Sequence, residues 1–351
     1  MRSNPGERVY WVDSLKAIGI TFVVLGHTRG LSPWEVNYLY SFHMPLFFFI
    51  SGLLLKRHAL DRGLLPYVGK YARRLFSPYV FFGLLTYIAW VLVFRRRSAE
   101  HMNVDPLTPL FGMLYGTSDL LLFNGPLWFF PCLFLTALLF YLVTRAKDAR
   151  VMAALLAACG VAGFYSVRAL PFRLPWNAEL ALTTVVFFGA GYLMRDTLFK
   201  LSRPKPSHAF AALSACLLCQ ALAVRYNGRV DLATVIFGNL FLLYLGAFSG
   251  IFFWVVVAMH APYSRVATSV SVNTDVIFPL HTQVFSLMTA VGVIVFGLPR
   301  RFHDGSLPIA VFYTVVCMVT LTPLGGVIRR HIPWAVGVGK AKKHPLKERA
   351  A

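Results

Sequence analysis

Long apolar runs separated by short polar segments cover almost the whole chain. The runs lie at 9–28, 37–55, 76–94, 126–144, 151–168, 179–194, 208–224, 240–259, 268–290 and 307–328. Each is close to the roughly 20 residues that a helix needs to cross about 30 Å of hydrocarbon. The pattern predicts an all-α polytopic membrane protein with about ten transmembrane helices in one domain over residues 1–336. An even number of spans places both termini on the same side of the membrane.

Two stretches in the second half are longer than one crossing requires. Apolar residues continue from 232 to 259 and again from 266 to 296. A tilted helix or a re-entrant piece would absorb the surplus length. The eighth and ninth spans are therefore the ones whose limits the pattern defines least sharply.

Composition supports the membrane class and gives an orientation. The 351 residues are 57% hydrophobic and 14% charged, which is not the composition of a soluble globular chain. The net charge of +20 would suit nucleic acid, but Lys and Arg follow alternate loops. With the N-terminus in the cytoplasm, 23 of the 34 Lys and Arg lie inside and 10 outside. This positive-inside bias predicts cytoplasmic termini and no nucleic-acid partner.

The C-terminal segment 337–351 is basic and lacks apolar periodicity. We expect it to be a disordered cytoplasmic tail that meets membrane lipid at the inner surface. The pattern does not determine whether the protein forms a homo-oligomer.

The first apolar run carries three ionisable residues, Asp13, Lys16 and His27. Such residues are costly in a membrane helix and mark a functional site by default. Eleven residues of helix turn through about 1100°, so Lys16 and His27 share one face, about 16 Å apart along the axis. Asp13 is three residues before Lys16, and these two side chains are expected to pair.

The second run places another imidazole near the first. A short loop joins the first two antiparallel spans, so His43 should lie at the same outer level as His27. Asp13 lies about 21 Å from His27 along the helix axis, which is too far for it to orient the imidazole. His43 and Glu35 are the candidates for that role.

Three cations precede the third run: Lys70, Arg73 and Arg74. One interpretation is a positive-inside anchor. The other is a clamp for phosphate groups, for which the planar fork of Arg is well suited.

Two further positions have both an ordinary and a functional interpretation. Trp128 follows Asn-Gly-Pro-Leu and fits an interfacial aromatic belt as well as a binding site. His281 is more often a satisfied core histidine than a ligand. The five Cys are scattered through apolar runs. Cys216 and Cys219 have C-x-x-C spacing but lie within a span and have no partner His or Cys pair, so no metal is expected.

The stretches 13–27 and 42–52, read together, resemble the acyltransferase-3 family of integral membrane acyltransferases, and most closely its fucose 4-O-acetylase-like branch. Lys16 and His27 match the family's R/K-x10-H signature, with Lys in place of the commoner Arg. Lys70-x-x-Arg73, or the adjacent Arg74-Leu, resembles its basic motif. The similarity covers essentially the whole chain, and its specificity rests on residues 10–55.

The resemblance implies an O-acyltransferase of the bacterial inner (plasma) membrane that takes an acyl group, usually acetyl, from cytoplasmic acyl-CoA. The acceptor would be a sugar hydroxyl of a surface polysaccharide or exopolysaccharide, or of its lipid-linked precursor. His27 would act as general base, because its imidazole titrates near neutral pH, or would carry the acyl group covalently. The expected catalytic residues are His27, Asp13 and His43; the expected acyl-CoA contacts are Lys16, Lys70, Arg73 and Arg74; and the expected acceptor contacts are Glu35, Trp128 and His281.

A different class of protein remains as the alternative. A transporter or flippase for an anionic substrate would also place Lys16 and the arginines along a path through the bilayer. Release of a thiol from acetyl-CoA by the pure protein favours the enzyme. Gradient-driven uptake without thiol release favours the transporter.

Overall fold

The computed structural model describes residues 9–95, 102–201 and 204–338. Within these ranges the chain is helical and contains no strand, apart from one isolated bridge between Asp231 and Ile236. The prediction of an all-α membrane protein is confirmed. The last 13 residues of the expected tail, 339–351, lie outside the described part of the chain.

The described residues form thirteen α-helices, three of which are short. The helices are α1 (Tyr10–Gly26), α2 (Pro33–Leu53), α3 (His58–Asp61), α4 (Leu64–Ala89), α5 (Leu107–Tyr115), α6 (Phe129–Val143), α7 (Ala149–Ala169), α8 (Ala178–Lys200), α9 (Pro206–Asn227), α10 (Leu240–His260), α11 (Arg265–Val272), α12 (Thr274–Phe296) and α13 (Leu307–His331). A π-helical segment (Trp90–Phe94) extends α4, and a 3₁₀ turn (Gly125–Trp128) leads into α6.

Eight of these helices are long and apolar enough to cross a membrane: α4, α6, α7, α8, α9, α10, α12 and α13. The two others that were expected to cross are α1 and α2. α1 is 17 residues long, and both helices carry ionisable residues within their length. The polytopic architecture is thus confirmed, whereas the count of ten spans and the side of the termini stay predictions.

α1 lies in the centre of the bundle. It packs against α2, α10, α11, α12 and α13. Leu15, Ile20, Val23 and Val24 of this helix are completely buried. By contrast, peripheral helices leave apolar side chains such as Phe210 and Val319 exposed, as lipid-facing surfaces do. The helix that carries Lys16 is therefore surrounded by protein.

Glycines let α2 and α8 approach closely. A Cβ added to Gly52 would overlap the backbone carbonyl of Phe188, and one added to Gly191 would overlap that of Phe49. Small residues of this kind allow helix backbones to touch in membrane proteins. This contact fixes α2, the helix that carries His43, in the bundle.

The third span begins earlier than the apolar pattern predicted. α4 starts at Leu64, so Lys70, Arg73 and Arg74 lie inside the helix instead of preceding it. Pro66 stands in the first turn of α4, where its missing N–H breaks no helical hydrogen bond. The apolar pattern misses this part of the helix because Lys70, Arg73 and Arg74 are polar. Pro78 lies within α4 and leaves the carbonyl of Arg74 without an in-helix N–H partner.

The two overlong apolar stretches each contain a break. The first forms a turn over 231–237 before α10 begins at Leu240. The second is divided at Asn273 into the short α11 and the long α12. The surplus length is thus absorbed by a turn and a short helix. The ninth span expected at 268–290 is present as α12, but it begins and ends six residues later, at Thr274 and Phe296.

Candidate active site

Three histidines from three helices meet at one end of the bundle, which we call the histidine end. His27 ends α1, His43 lies in α2 and His281 lies in α12. The rings of His27 and His281 are edge to face, with centroids 4.8 Å apart. Tyr40 lies between the other pair, 6.2 Å from His27 and 4.8 Å from His43. His27 and His43 therefore lie near each other, as expected, but the Tyr40 ring stands between their imidazoles.

The backbone holds all three imidazoles in the same way. Nδ1 lies 2.8 Å from the Val23 carbonyl in His27, 2.6 Å from that of Leu39 in His43, and 2.6 Å from that of Phe278 in His281. A carbonyl oxygen only accepts, so in each neutral ring Nδ1 carries the hydrogen and Nε2 has the free lone pair. Nε2 of His281 is buried and has no hydrogen-bond partner among the described residues.

His27 is oriented by its own helix. The Val23 carbonyl, one turn earlier, accepts from its Nδ1–H. Glu35 lies at the start of α2, where its carboxylate accepts from the Ser32 backbone N–H at 2.7 Å in a capping box. The Glu35 carboxylate therefore stabilises the N-terminus of α2, and the orientation of His27 does not depend on it.

A pocket of about 320 Å³ opens beside these histidines, and we call it the histidine pocket. Its lining combines imidazoles, carboxylates and aromatic rings. The lining residues are His27, Tyr40, His43, Met44, Ser118, Asp119, Gly125, Pro126, Trp128, Asp231, Leu232, Ala233, Thr234 and Phe278. His281 stands directly behind His27 and does not line the pocket itself.

Asp231 is the fixed carboxylate of this pocket. One oxygen accepts from the backbone N–H groups of Ala233 and Thr234, and the other accepts from Arg229 at 2.8 Å. The Arg229 guanidinium lies 4.9 Å from the centre of the Tyr40 ring. The hydrogen bond that Arg229 donates to the Asp231 carboxylate holds the pKa of Arg229 above its usual value. A carboxylate, a cation and a phenol thus meet at the rim.

Arg173 ties together the loops that cover this end. Its guanidinium donates to Glu179 at 2.6 Å, to the Ala233 carbonyl at 3.1 Å, and to Asn177. Ser118 donates to the same Ala233 carbonyl at 2.6 Å. Because Glu179 is almost fully buried, this ion pair belongs to the protein interior.

A larger cavity of about 860 Å³ lies towards the other end of the bundle, and we call it the basic cavity. Five cationic side chains and one carboxylate line it: Lys16, Lys70, Arg73, Arg74, Arg329 and Asp275. Its deeper wall is apolar and includes Ile20, Phe47, Ile50, Phe129, Phe130 and Phe278. The cavity therefore offers a cationic mouth and an apolar interior.

Ser271, in α11, is hydrogen-bonded to two ionisable residues of α1. The Lys16 ammonium donates to the Ser271 carbonyl at 2.7 Å, and the Ser271 hydroxyl donates to Asp13 at 2.6 Å. Asp13 thus lies at the basic end and not with the histidines. Arg329 pairs with Asp275 and also donates to Asn273 at 3.1 Å, which holds the break between α11 and α12.

The expected site residues therefore fall into two groups. His27, His43 and Trp128 line the histidine pocket, while Lys16, Lys70, Arg73 and Arg74 line the basic cavity. Glu35, Asp13 and His281 line neither. Sequence reasoning missed Tyr40, Arg229, Asp231, Asp275 and Arg329. Asp275 carried a usable signal, since a carboxylate within an apolar run is a functional candidate by default.

Among the described residues there is no cluster of three or more His, Cys, Asp or Glu side chains able to hold a metal ion.

Comparison with known proteins shows the family of the chain. A family model described as an acyltransferase domain matches residues 9–325, nearly the whole chain. The chain belongs to this acyltransferase family, which confirms the acyltransferase-3 resemblance; its fucose 4-O-acetylase-like branch stays a prediction.

A phage protein provides a more distant comparison. An O-acetyl transferase of Shigella phage Sf6 is 24% identical over 215 residues, which are 55% of this chain and 65% of the relative. The match thus spans just under two thirds of that relative's length. No solved structure matches the chain.

Proposed function

We propose that the protein is an O-acetyltransferase that takes the acetyl group from acetyl-CoA at the basic cavity and delivers it to a sugar hydroxyl in the histidine pocket. One observation carries the proposal. A cavity lined by cations and a pocket lined by histidines lie at opposite ends of the same helix, α1, and share one wall residue, Phe278. The membership of the acyltransferase family and the name of the phage relative support it.

The donor would bind with its phosphates at the mouth of the basic cavity. Lys16, Lys70, Arg73 and Arg74 supply the positive charge, and Arg makes charge-assisted, bidentate bonds to phosphate. The apolar wall behind them suits the uncharged arm that carries the thioester. On this proposal the basic end faces the cytoplasm, where acyl-CoA is available, in keeping with the positive-inside bias.

The acceptor would enter the histidine pocket from the opposite side. Asp119 is exposed there and Asp231 is fixed, so both can accept hydrogen bonds from sugar hydroxyls. Trp128 and Tyr40 add aromatic surface. The acceptor class that fits is a surface polysaccharide or exopolysaccharide, or its lipid-linked precursor, in a bacterial inner membrane.

The proposed reaction is direct transfer assisted by His27. Nε2 of His27 removes the proton from the acceptor hydroxyl while the hydroxyl oxygen attacks the thioester carbonyl. A C–O bond forms and the C–S bond breaks. The proton then passes from His27 to the departing CoA sulfur. In a two-step variant the same nitrogen carries the acetyl group before the acceptor oxygen takes it.

The test uses purified protein, acetyl-CoA and a cell-envelope glycan fraction. The proposal predicts acceptor-dependent release of CoA thiol and transfer of labelled acetyl to the glycan. A transporter for an anionic substrate would instead give gradient-driven uptake into proteoliposomes with no thiol release, and that result would refute the enzyme.

A further inference from the structure

Phe278 stands where the basic cavity and the histidine pocket meet. It lines both of them and is itself largely buried. Its ring packs edge-on against Phe130 at 5.8 Å and at a tilt against Phe129 at 5.3 Å. On its other side it approaches the imidazole of His281, with centroids 6.2 Å apart. One ring thus separates the cationic cavity from the histidines.

The backbone around Phe278 is held from several directions. Its carbonyl accepts from Nδ1 of His281, and the next residue is Pro279, which lies within α12. The Pro279 carbonyl accepts from the Asn124 side chain at 2.8 Å. The adjacent proline and these two bonds limit movement of this part of α12, so the ring is a fixed part of the wall.

We propose that Phe278 is the partition between donor and acceptor, and that it restricts the enzyme to short acyl groups and keeps acceptor-side water from the thioester. The proposal rests on the proposed function. A two-carbon acyl group can present its carbonyl beside the ring edge. Each further methylene must occupy space that the rings of Phe278 and Phe129 already fill. The protein interior is close-packed, so such groups enter only by displacing a ring.

The same ring limits a side reaction. When water attacks the thioester, a C–O bond forms, the C–S bond breaks, and acetate and CoA thiol result. Water has access to the histidine pocket through its exposed rim, whereas the thioester approaches from the basic cavity. Removal of the ring joins the two spaces and allows hydrolysis without an acceptor.

The experiment compares purified Phe278→Ala and Phe278→Leu with the unaltered protein. Donors are acetyl-, butyryl- and hexanoyl-CoA, and thiol release is measured with and without the glycan fraction. A single methylene misfit in an apolar pocket is worth about 10- to 200-fold in kcat/KM. We therefore expect Phe278→Ala to raise the butyryl-to-acetyl ratio of kcat/KM by at least about 10-fold. Acceptor-independent thiol release should also rise, with Phe278→Leu between the two.

Phe134→Ala is the matched control. Phe134 is buried to a similar degree and packs on Phe76 and Trp176, but it lines neither cavity. Phe134→Ala removes the same ring volume and should leave the butyryl-to-acetyl ratio of kcat/KM unchanged. Acetyl-CoA binding by calorimetry and gel filtration establish that each variant is folded.

The outcomes separate the two proposals. An unchanged donor profile and unchanged hydrolysis in Phe278→Ala and Phe278→Leu, with normal acetyl transfer, would overturn the partition alone. A shift of equal size in Phe134→Ala would overturn it as well, because loosened packing would then explain the effect. Absence of any thiol release from the unaltered protein with acceptor present would overturn the proposed function and the partition together.

Discussion

The imidazoles of His27 and His281 lie edge to face, with centroids 4.8 Å apart, although they come from the first and the twelfth helix. Both rings have Nδ1 held by a backbone carbonyl, and Nε2 of His281 has no hydrogen-bond partner among the described residues. A buried polar nitrogen without a partner is costly, so it points to a role in the loaded enzyme. We assign His281 as a positioning residue that accepts a hydrogen bond from His27 once His27 has taken up the proton.

Replacement of His281 tests this assignment. His281→Phe keeps a ring but removes the accepting nitrogen, and a hydrogen bond to a charged group is worth about 1.5–3 kcal/mol. We expect kcat for acetyl transfer to fall by roughly 10- to 150-fold, with the KM for acetyl-CoA unchanged. His281→Gln places a polar atom near the position of Nε2 and should recover part of the loss. Equal loss in both variants would indicate a packing role only.

The donor site is tested at Lys16 and Arg74. Lys16→Ala or Arg74→Ala removes a charge from the basic cavity and should raise the KM for acetyl-CoA more than it lowers kcat. Charge-assisted contacts of this kind are worth about 1.5–3 kcal/mol, or roughly 10- to 150-fold in affinity. Isothermal titration with acetyl-CoA measures the effect directly.

Arg145 supplies the matched control for the donor variants. It lies in the 3₁₀ turn (Thr144–Ala146) that follows α6, with its guanidinium 4.3 Å from the centre of the Tyr141 ring, and it does not line the basic cavity. Arg145→Ala should leave acetyl-CoA affinity unchanged. If Lys16→Ala and Arg74→Ala behave like it while folded, these cations are membrane anchors and not a phosphate site.

The ion pair of Arg173 and Glu179 should contribute strongly to stability. Removing one partner leaves a buried charge uncompensated, which costs about 3–5 kcal/mol. We expect Arg173→Ala to lower the Tm in detergent markedly, and Arg173→Ala combined with Glu179→Gln to recover part of it. The exposed pair Arg57–Asp196 provides the comparison, since Arg57→Ala should change stability by only about 0–1 kcal/mol. If Arg173→Ala and Arg57→Ala lowered the Tm equally, the Arg173–Glu179 pair would not be behaving as a buried ion pair.

Membrane topology can be checked with reporter fusions. Fusions at residue 351 and within the segment 59–66, which covers most of α3 and the start of α4, should report the cytoplasm, and fusions near Asn103 should report the other side. The positive-inside bias is the physical reason. A reporter at the C-terminus on the outside would show that the number of crossings is odd, and the break at Asn273 would be the first place to look.

The sequence was sufficient to predict features that depend on one helix. Helical spacing placed Lys16 and His27 about 16 Å apart on α1, and the structure has both residues on that helix, facing different cavities. Lys70, Arg73 and Arg74 were grouped because they are close in the sequence, and they line one cavity, although they lie within α4 and not before it.

Features that depend on contacts between distant segments were not accessible in the same way. Asp231 comes from a turn that no periodic pattern marks, and its place beside Tyr40 follows from the packing of loops held by Arg173. Phe278 is one phenylalanine among 31 in the sequence, and only the three-dimensional arrangement distinguishes it. The division at Asn273 was hidden because apolar residues continue on both sides of it.

Proton transfer by His27 is the claim on which the proposed function depends, and His27→Gln tests it most directly. Glutamine keeps some hydrogen bonding but cannot accept a proton, and loss of a positioned general base typically costs about 10²–10⁴-fold in rate. His260→Gln is the control, because the Nδ1 of His260 also lies near a carbonyl one turn earlier, while the residue is exposed and lines neither cavity.

The measurement is transfer of labelled acetyl to the glycan fraction by purified protein, normalised to folded enzyme. His27→Gln should lose transfer by about 10²-fold or more and still bind acetyl-CoA, because the basic cavity lies towards the other end of α1. His260→Gln should retain full activity. Transfer by His27→Gln within a few-fold of the unaltered protein would contradict the assignment and direct attention to His43 or His281.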